Sequence, residues 1–428
     1  MSSSGSRSGE STVNTEHGVA PRSVSVRQSG QVTGLDRWLA QKMLDVVGNP
    51  SFSIQLWDGS EVTTNKDITH KLLITDRRAL WRLLFDAEYH FGELYASRRV
   101  MVQGDLVSFL EKAYLGIDKA GKNWLTELLL AISHRPRLNT LRGSRKNIHH
   151  HYNIGNPFYE LWLDKEAMQY TCAYFPNPEM SIEQAQVAKL HHIARKLQLK
   201  PGQTIVEAGC GWGGLARFFA KHYGVNVKAY NISREQVAFA RNKAREQGLD
   251  DRVEYVEDDY RNITGTYDVF VSVGMLEHVG RYQYSTLGSV IDRCLKDDGV
   301  GLVHSIGRNK PGLMNSWIEK RIFPGAYPPS LKEMMDIFEP HSLSVQDVEN
   351  IRLHYARTIE HWLSRFDENE DTIRQMFDGN FIRAWRLYLA GSIAAFTTGE
   401  LQLFQILFTR EQHNGLPWSR AHVYSQGH

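Results

Sequence analysis

Residues 204–214, TIVEAGCGWGG, join a short apolar run, a carboxylate and a glycine-dense turn. The apolar run reads as a buried strand, and LARFFAKHYG behind the glycines has helical periodicity. The same alternation continues. VNVKAYN, RVEYVEDD, YDVFVSVG and VGLVHSIG read as strands, with REQVAFARNKAREQG and SVIDRCLKDDG as helices between some of them. Strands alternating with helices build a parallel sheet covered on both faces. LSVQDVENI and LQLFQILFTR complete a seven-stranded, mostly parallel α/β sheet. Ser181 and Gln184 form a capping box that opens the helix IEQAQVAKLHHIARKL. The helical RAWRLYLAGSIAAF would cover the edge where such sheets bind ligands, outside the carboxyl ends of the strands.

Gly209, Gly211 and Gly214 satisfy G-x-G-x-x-G. A dinucleotide site wants an acid at the end of the second strand. Asn231 and Ser233 stand there, and both are neutral. The acid instead precedes the glycines, as Glu207. That order suits S-adenosylmethionine. Gly209, Gly211 and Gly213 let bare backbone close on its methionine portion. The helix start faces its carboxylate, and Glu207 serves its cationic amino end. At the end of the third strand, Asp258 and Asp259 can take the adenine amino group and Tyr260 can offer a flat face. Methyl transfer from a sulfonium needs alignment and exclusion of water more than acid–base help.

Residues 31–133 read as a small mixed N-terminal domain. A helix carries Leu35, Trp38, Leu39, Met43, Val46 and Val47 and stops at Gly48. SFSIQLWDGSEV is a hairpin about Asp58-Gly59. Helical patterns follow, from DRRALWRLLF to WLTELLLAIS. Residues 1–30 are too rich in Ser, Gly and Thr to offset ordering entropy and are expected to be disordered. Residues 412–428 read as a C-terminal tail. The stretch 134–148 holds Arg135, Arg137, Arg142, Arg145 and Lys146 and no acid. It is either a solvated linker or a cationic strip for anionic headgroups, at ~1 kcal/mol per basic residue.

A net charge of +2 over 428 residues excludes a whole-chain nucleic-acid binder. The apolar stretches are too short to span a bilayer, and the first residues form no secretory signal. Cys172, Cys210 and Cys294 show no metal spacing and suit a reducing cytoplasm. Any membrane contact is therefore expected to be peripheral, from the cytoplasmic side.

HYNIGNPFYELWLD, MQYTCAYF, GCGWGG, SVGMLEHVG, HSIG and IFPGAYPPS follow one another within residues 149–410. Together they resemble the cyclopropane-fatty-acyl-phospholipid synthase family, with its mycolic-acid and alkene-methylating relatives. LWDGS, FGELYA and GDLVSFL are similar, more weakly, to that family's small lipid-engaging domain. The resemblance implies a class I, Rossmann-like S-adenosylmethionine-dependent methyltransferase over residues 149–411. It also implies chemistry at a cis double bond of a phospholipid acyl chain. The alkene takes the methyl group, and a base removes a proton from the resulting cation so that the ring closes. In the family that base is bound bicarbonate. The resemblance places its holders at Cys172, Glu277, His304, Ile306 through its backbone, and Tyr355. It puts Tyr170 and Thr171 near the methionine end of the cofactor and Gln236 near its ribose. Tyr174, Phe175 and Tyr327 bring aromatic faces for the cation.

Taken singly, Cys172 is equally a small buried hydrophobe, His304 a core histidine and Glu277 a helix-start carboxylate. Members often carry Asp at Glu207, Thr at Asn231 and Ser at Thr171. Related outcomes from the same cation are a methylene or methyl branch, or a furan precursor. The rival readings are a methyltransferase for a small soluble nucleophile and a lipid-binding protein with a dead methyltransferase fold. Family members are often homodimers.

Overall fold

The computed structural model describes residues 30–120 and 154–424. All but the last residue of the expected disordered start, WLTELLLAIS, the basic stretch 134–148 and the leading HYN of the HYNIGN motif lie outside the described residues.

The small unit begins with α1 (Gly34–Val46), which buries Leu39, Ala40 and Leu44. β1 (Phe52–Gln55) and β2 (Glu61–Val62) pair antiparallel about the expected Asp58-Gly59 turn. Two strands were not legible among the helical patterns. β3 (His70–Ile74) lies parallel to β1, and β4 (Val100–Gln103) closes the order β2-β1-β3-β4. β3 and β4 are separated by α2 (Arg77–Phe85) and α3 (Ala87–Ala96), so their pairing is non-local and leaves no turn signal. α4 (Leu106–Ala120) follows β4.

In the large unit a helical turn at Asn156–Glu160 is followed by α5 (Ile182–Leu197), capped by the Ser181–Gln184 box as expected. Its sheet has the order β10-β11-β9-β8-β5-β6-β7. The strands are β5 (Thr204–Ala208), β6 (Asn226–Asn231), β7 (Val253–Glu257), β8 (Tyr267–Val273), β9 (Leu295–Gly307), β10 (Leu343–Asn350) and β11 (Gln402–Arg410). Only β11 runs against its neighbours. α6 (Gly214–Tyr223), α7 (Arg234–Glu246) and α8 (Tyr284–Cys294) are the crossovers. α8 ends at Cys294 because Leu295 already pairs with Tyr267, so LKDDG belongs to β9 and not to the helix. Separate apolar clusters cover the two faces of the sheet, one holding Ile205, Phe219 and Val271 and the other Val206, Phe270 and Ile291.

A third, aromatic cluster lies over the carboxyl edge of the strands. It is built by α9 (Arg352–Glu368) and α10 (Gly379–Thr398), which pack together with Phe158, Trp162, Trp362 and Trp385 at their centre. α10 also packs on α3 and α4, so the small unit sits against this edge. A Cβ on Gly92 of α3 would stand 2.3 Å from the Trp317 ring, which is why a glycine occupies that helix position. Trp317 Nε1 donates to Glu93 Oε1 at 3.0 Å, and Arg383 Nε donates to the Ala96 carbonyl at 2.6 Å. After β11 the described part of the expected tail folds back. Val423 is buried, and its carbonyl accepts from Arg195 Nε of α5 at 2.8 Å. Among the described residues no helix is long and apolar enough to cross a membrane.

Candidate active site

β5 delivers Glu207 to the carboxyl edge and the glycine turn follows at once. Gly209 and Gly213 have φ of +84° and +75°, and a Cβ on either would strike Met275 or Tyr255 at 2.8 and 2.5 Å. Gly211, at φ +53°, differs: an added Cβ would meet no protein atom within 4 Å. Bare backbone at Gly211 therefore faces open space, as close approach of a ligand requires. Asn231 Nδ2 props the turn by donating to the Gly211 carbonyl at 3.1 Å and to Gln236 Oε1 at 2.9 Å. Ser233 caps α7 and donates its amide to Asn231 Oδ1. Three buried polar atoms around this cradle lack a partner among the described residues: Glu207 Oε2, Gln236 Nε2 and the Tyr260 hydroxyl. Orphaned groups of this kind fit a polar ligand. Glu207, Gly211 and Gln236 thus suit S-adenosylmethionine.

The two acids of the third strand behave differently. Asp259 accepts both Arg261 Nε and Nη2, at 2.7 and 2.8 Å, so its carboxylate is already engaged. Asp258 Oδ1 accepts from Asn262 Nδ2 at 2.8 Å and stays partly exposed, which leaves Asp258 as the adenine candidate.

Beside this cradle lies a cavity of about 270 Å³. Cys172, Glu277, His304, Ile306 and Tyr355 all line it, together with Tyr170 and Thr171. Gly274, just after β8, is the seam: it lines the cavity, and a Cβ there would stand 2.8 Å from Thr171 Cγ2. Phe91 and Gly92 of α3 and Leu110 and Tyr114 of α4 close the cavity from the small unit. The other cofactor candidates, at the ends of β5, β6 and β7, do not line it.

The polar floor is set by β9 and a helical turn at Leu276–Val279. Glu277 Oε1 accepts the Ile306 amide at 2.6 Å, and its Oε2 is buried without a partner among the described residues. Ile306 therefore offers its amide to Glu277 and not to the cavity, which corrects the direct role expected for it. Burial pushes Glu277 up to about 7, opposed by hydrogen bonds that include the Ile306 amide. Gln405 Nε2 lies 3.2 Å from His304 Nδ1 and donates to it, which leaves the ring proton on Nε2, also buried and without a partner among the described residues. Burial holds His304 well below the usual imidazole range and pushes the Cys172 thiol up, so both are neutral near pH 7. Cys172 Sγ donates to the Ala173 carbonyl at 3.1 Å. Tyr170 and Tyr388 share a hydroxyl–hydroxyl bond of 2.9 Å.

Tyr174, Phe175 and Tyr327 do not reach the cavity. Tyr174 stacks between His192 and His354, at 4.0 and 4.7 Å, and Phe175 stacks on His361. Tyr327 donates to Glu333 Oε1. The aromatic lining comes instead from Phe91, Tyr114, Tyr170, Trp317, Phe323, Tyr355, Tyr388 and Phe396. Sequence reasoning also missed Lys189. It is 0% exposed on α5, and its ammonium donates to Gln169 Oε1 at 2.6 Å and Thr171 Oγ1 at 2.9 Å. Burial lowers it to about 8, and Asp164, Cys172 and Glu207 oppose that, so its charge is felt on both sides of the seam. One lysine in an amphipathic helix carries no signal of this.

Sheet order, glycine cradle and covering helices define a class I S-adenosylmethionine-dependent methyltransferase. The family model for mycolic acid cyclopropane synthetase matches residues 139–406, and the chain belongs to that family. It is 32% identical over 382 residues to a probable fatty acid methyltransferase of Pseudomonas putida, covering 87% of this chain and 95% of that one. It is 40% identical over 271 residues to the cyclopropane-fatty-acyl-phospholipid synthase of Escherichia coli K12, covering 63% and 69%. The mycolic acid cyclopropane synthase CmaA1, solved in complex with SAH and CTAB, superposes with a TM-score of 0.59 at 26% identity, over 64% of this chain and 99% of that one.

Proposed function

We propose that the chain transfers a one-carbon unit from S-adenosylmethionine to the cis double bond of an unsaturated phospholipid acyl chain, giving a cyclopropane fatty acid. One observation carries the reading: a donor, His304 Nε2, and an acceptor, Glu277 Oε2, are both buried, have no partner among the described residues, and belong to residues that line one largely apolar cavity. When bound, S-adenosylmethionine supplies an electrophilic methyl group and bicarbonate supplies a proton-accepting oxyanion. Glu207, the glycine turn, Asn231, Gln236, Asp258 and Tyr260 hold the first, and Tyr170 and Thr171 stand at the seam. Cys172, Glu277, His304 and Tyr355 hold the second. The neutral His304 imidazole donates from Nε2 to an oxyanion without competing for its proton, and Cys172 and Tyr355 flank it in the cavity wall. Glu277 accepts or orients that proton, helped by a carboxyl that titrates near neutrality. The apolar walls hold the alkene and exclude water from the cation left on the acyl chain. The rings of Tyr170, Tyr355 and Tyr388 offer that cation π-faces.

Alkene methylation without ring closure is the second reading, favoured by the likeness to the fatty acid methyltransferase over 87% of this chain. The two part after methyl transfer: loss of a proton from the new methyl closes the ring directly, whereas a 1,2-hydride shift onto the cationic carbon followed by loss of a proton from that methyl leaves the vinylidene branch. Peripheral attachment to the cytoplasmic face is part of the proposal. Leu115 and Ile117 stay exposed on α4, which lines the cavity through Leu110 and Tyr114. The test is incubation of the full chain with dioleoyl phospholipid vesicles, followed by vesicle flotation and proton NMR of the lipid. Co-flotation and upfield cyclopropane methylene protons are expected. Vinylidene protons in their place select the second reading, and unchanged lipid rejects both.

A further inference from the structure

Arg308 is the one arginine or lysine among the described residues that line the cavity. It lies one residue beyond β9, where its amide donates to the Pro329 carbonyl at 2.9 Å. His304, Ile306 and Arg308 are alternate residues and so share a face, with the first and last Cα about 13 Å apart along the strand. The cavity thus has a polarity along its length. His304 and Cys172 sit at its buried floor, whereas Leu313 and Glu400, both exposed, mark its rim beside Arg308.

The Arg308 side chain is only 14% exposed, and its Nε has no partner among the described residues. Its nearest anion is Glu400, 53% exposed, with a 3.5 Å separation from Nη1. A pair that long and that wet contributes little and is readily exchanged. The guanidinium therefore holds spare donors at the mouth of an apolar cavity, a costly arrangement unless something uses them. Tyr114 lies close by, with its hydroxyl pushed up to about 12 by burial and by Glu400, while Arg308 opposes the shift.

We infer that Arg308 anchors the oxyanion end of the acyl substrate at the rim, while the chain reaches inward to Glu277 and His304. The inference rests on the proposed lipid reaction and adds a recognition residue to it. A planar fork of donors suits a phosphodiester or a carboxylate, both of which accept two parallel hydrogen bonds. Glu400 holds the guanidinium in place until such a group displaces it.

The test is binding to the full chain, which needs no turnover. Tryptophan fluorescence is titrated with oleate, with oleoyl lysophosphatidylglycerol below its micelle threshold, and with methyl oleate, which has the same chain and no charge. Arg308→Gln is expected to weaken at least one anionic ligand tenfold or more while methyl oleate and S-adenosylmethionine bind as before. Arg308→Lys is expected to recover part of the loss. A larger loss for the lysophospholipid assigns the phosphodiester, and a larger loss for oleate assigns the carboxylate. An equal loss for methyl oleate, or no loss for either anion, overturns the anchor. A chain that shows the anionic loss yet alters no lipid in the vesicle assay rejects the reaction and keeps the anchor.

Discussion

Glu277 is a carboxyl that burial raises from 4.5 to about 7. The folded state therefore favours its protonated form. Its stabilising share is complete below pH 4.5 and is lost as pH rises through about 7, where the site carries a buried charge at a cost of ~3 kcal/mol. Glu277→Gln removes that cost. Urea denaturation at pH 8 should show a higher midpoint for the variant, and turnover should fall by about 10²–10⁴. The dissociation constant for S-adenosylmethionine should stay within about twofold. Equal losses of turnover and cofactor affinity would make Glu277 structural. Lys189 works at the same scale, from behind. Lys189→Met withdraws charged donors from Gln169 and Thr171, each bond of that kind contributing about 1.5–3 kcal/mol. Calorimetry should show cofactor affinity about tenfold weaker, and an unchanged value means that Thr171 needs no help.

Among the elements, α9 decides whether Cys172 and Tyr355 meet. The Ala173 amide donates to Thr358 Oγ1 at 3.0 Å, and the Phe175 amide donates to His354 Nδ1 at 2.9 Å. His354 and Thr358 are four residues apart on one helix face, so the helix grips the strip that carries Cys172 and presents Tyr355 beside it. Thr358→Val leaves a buried amide without an acceptor, at about 1–3 kcal/mol. The melting temperature should fall and turnover should fall with it, whereas Thr358→Ser, which keeps the oxygen, should restore both. Activity that survives in the valine variant would show that the grip is not needed. The strands and capped helices around this contact were readable from their periodicity and their Ser181–Gln184 signal, because those depend on neighbours in the chain. β3 and β4 were not, because β1 finds β3 across an intervening loop and β4 returns after two helices.

At the scale of the molecule, the small unit forms one wall of the cavity, through α3 and α4. Gly92 is the contact that permits it. Gly92→Leu would drive a side chain into the Trp317 ring and push the units apart, so lipid turnover is expected to drop about tenfold or more. S-adenosylmethionine, whose cradle stands on β5–β7, should bind as before, and the pair of measurements separates loss of the wall from loss of the fold. A chain that keeps full lipid turnover would show the wall to be dispensable.

The local order of residues by itself determined the strand–helix alternation and the glycine cradle with its acid, because each is written in spacing along the backbone, whereas the five cavity residues were marked by the resemblance of their motifs to a family. Only the tertiary structure decided that Cys172, Glu277, His304 and Tyr355 share a cavity, that the Ile306 amide serves Glu277, that Tyr174 and Phe175 turn away, and that Lys189 and Arg308 stand where they do. Those outcomes depend on which side of an element faces which distant neighbour, and on how burial shifts a proton, and neither quantity exists until the sheet and its covering helices have packed.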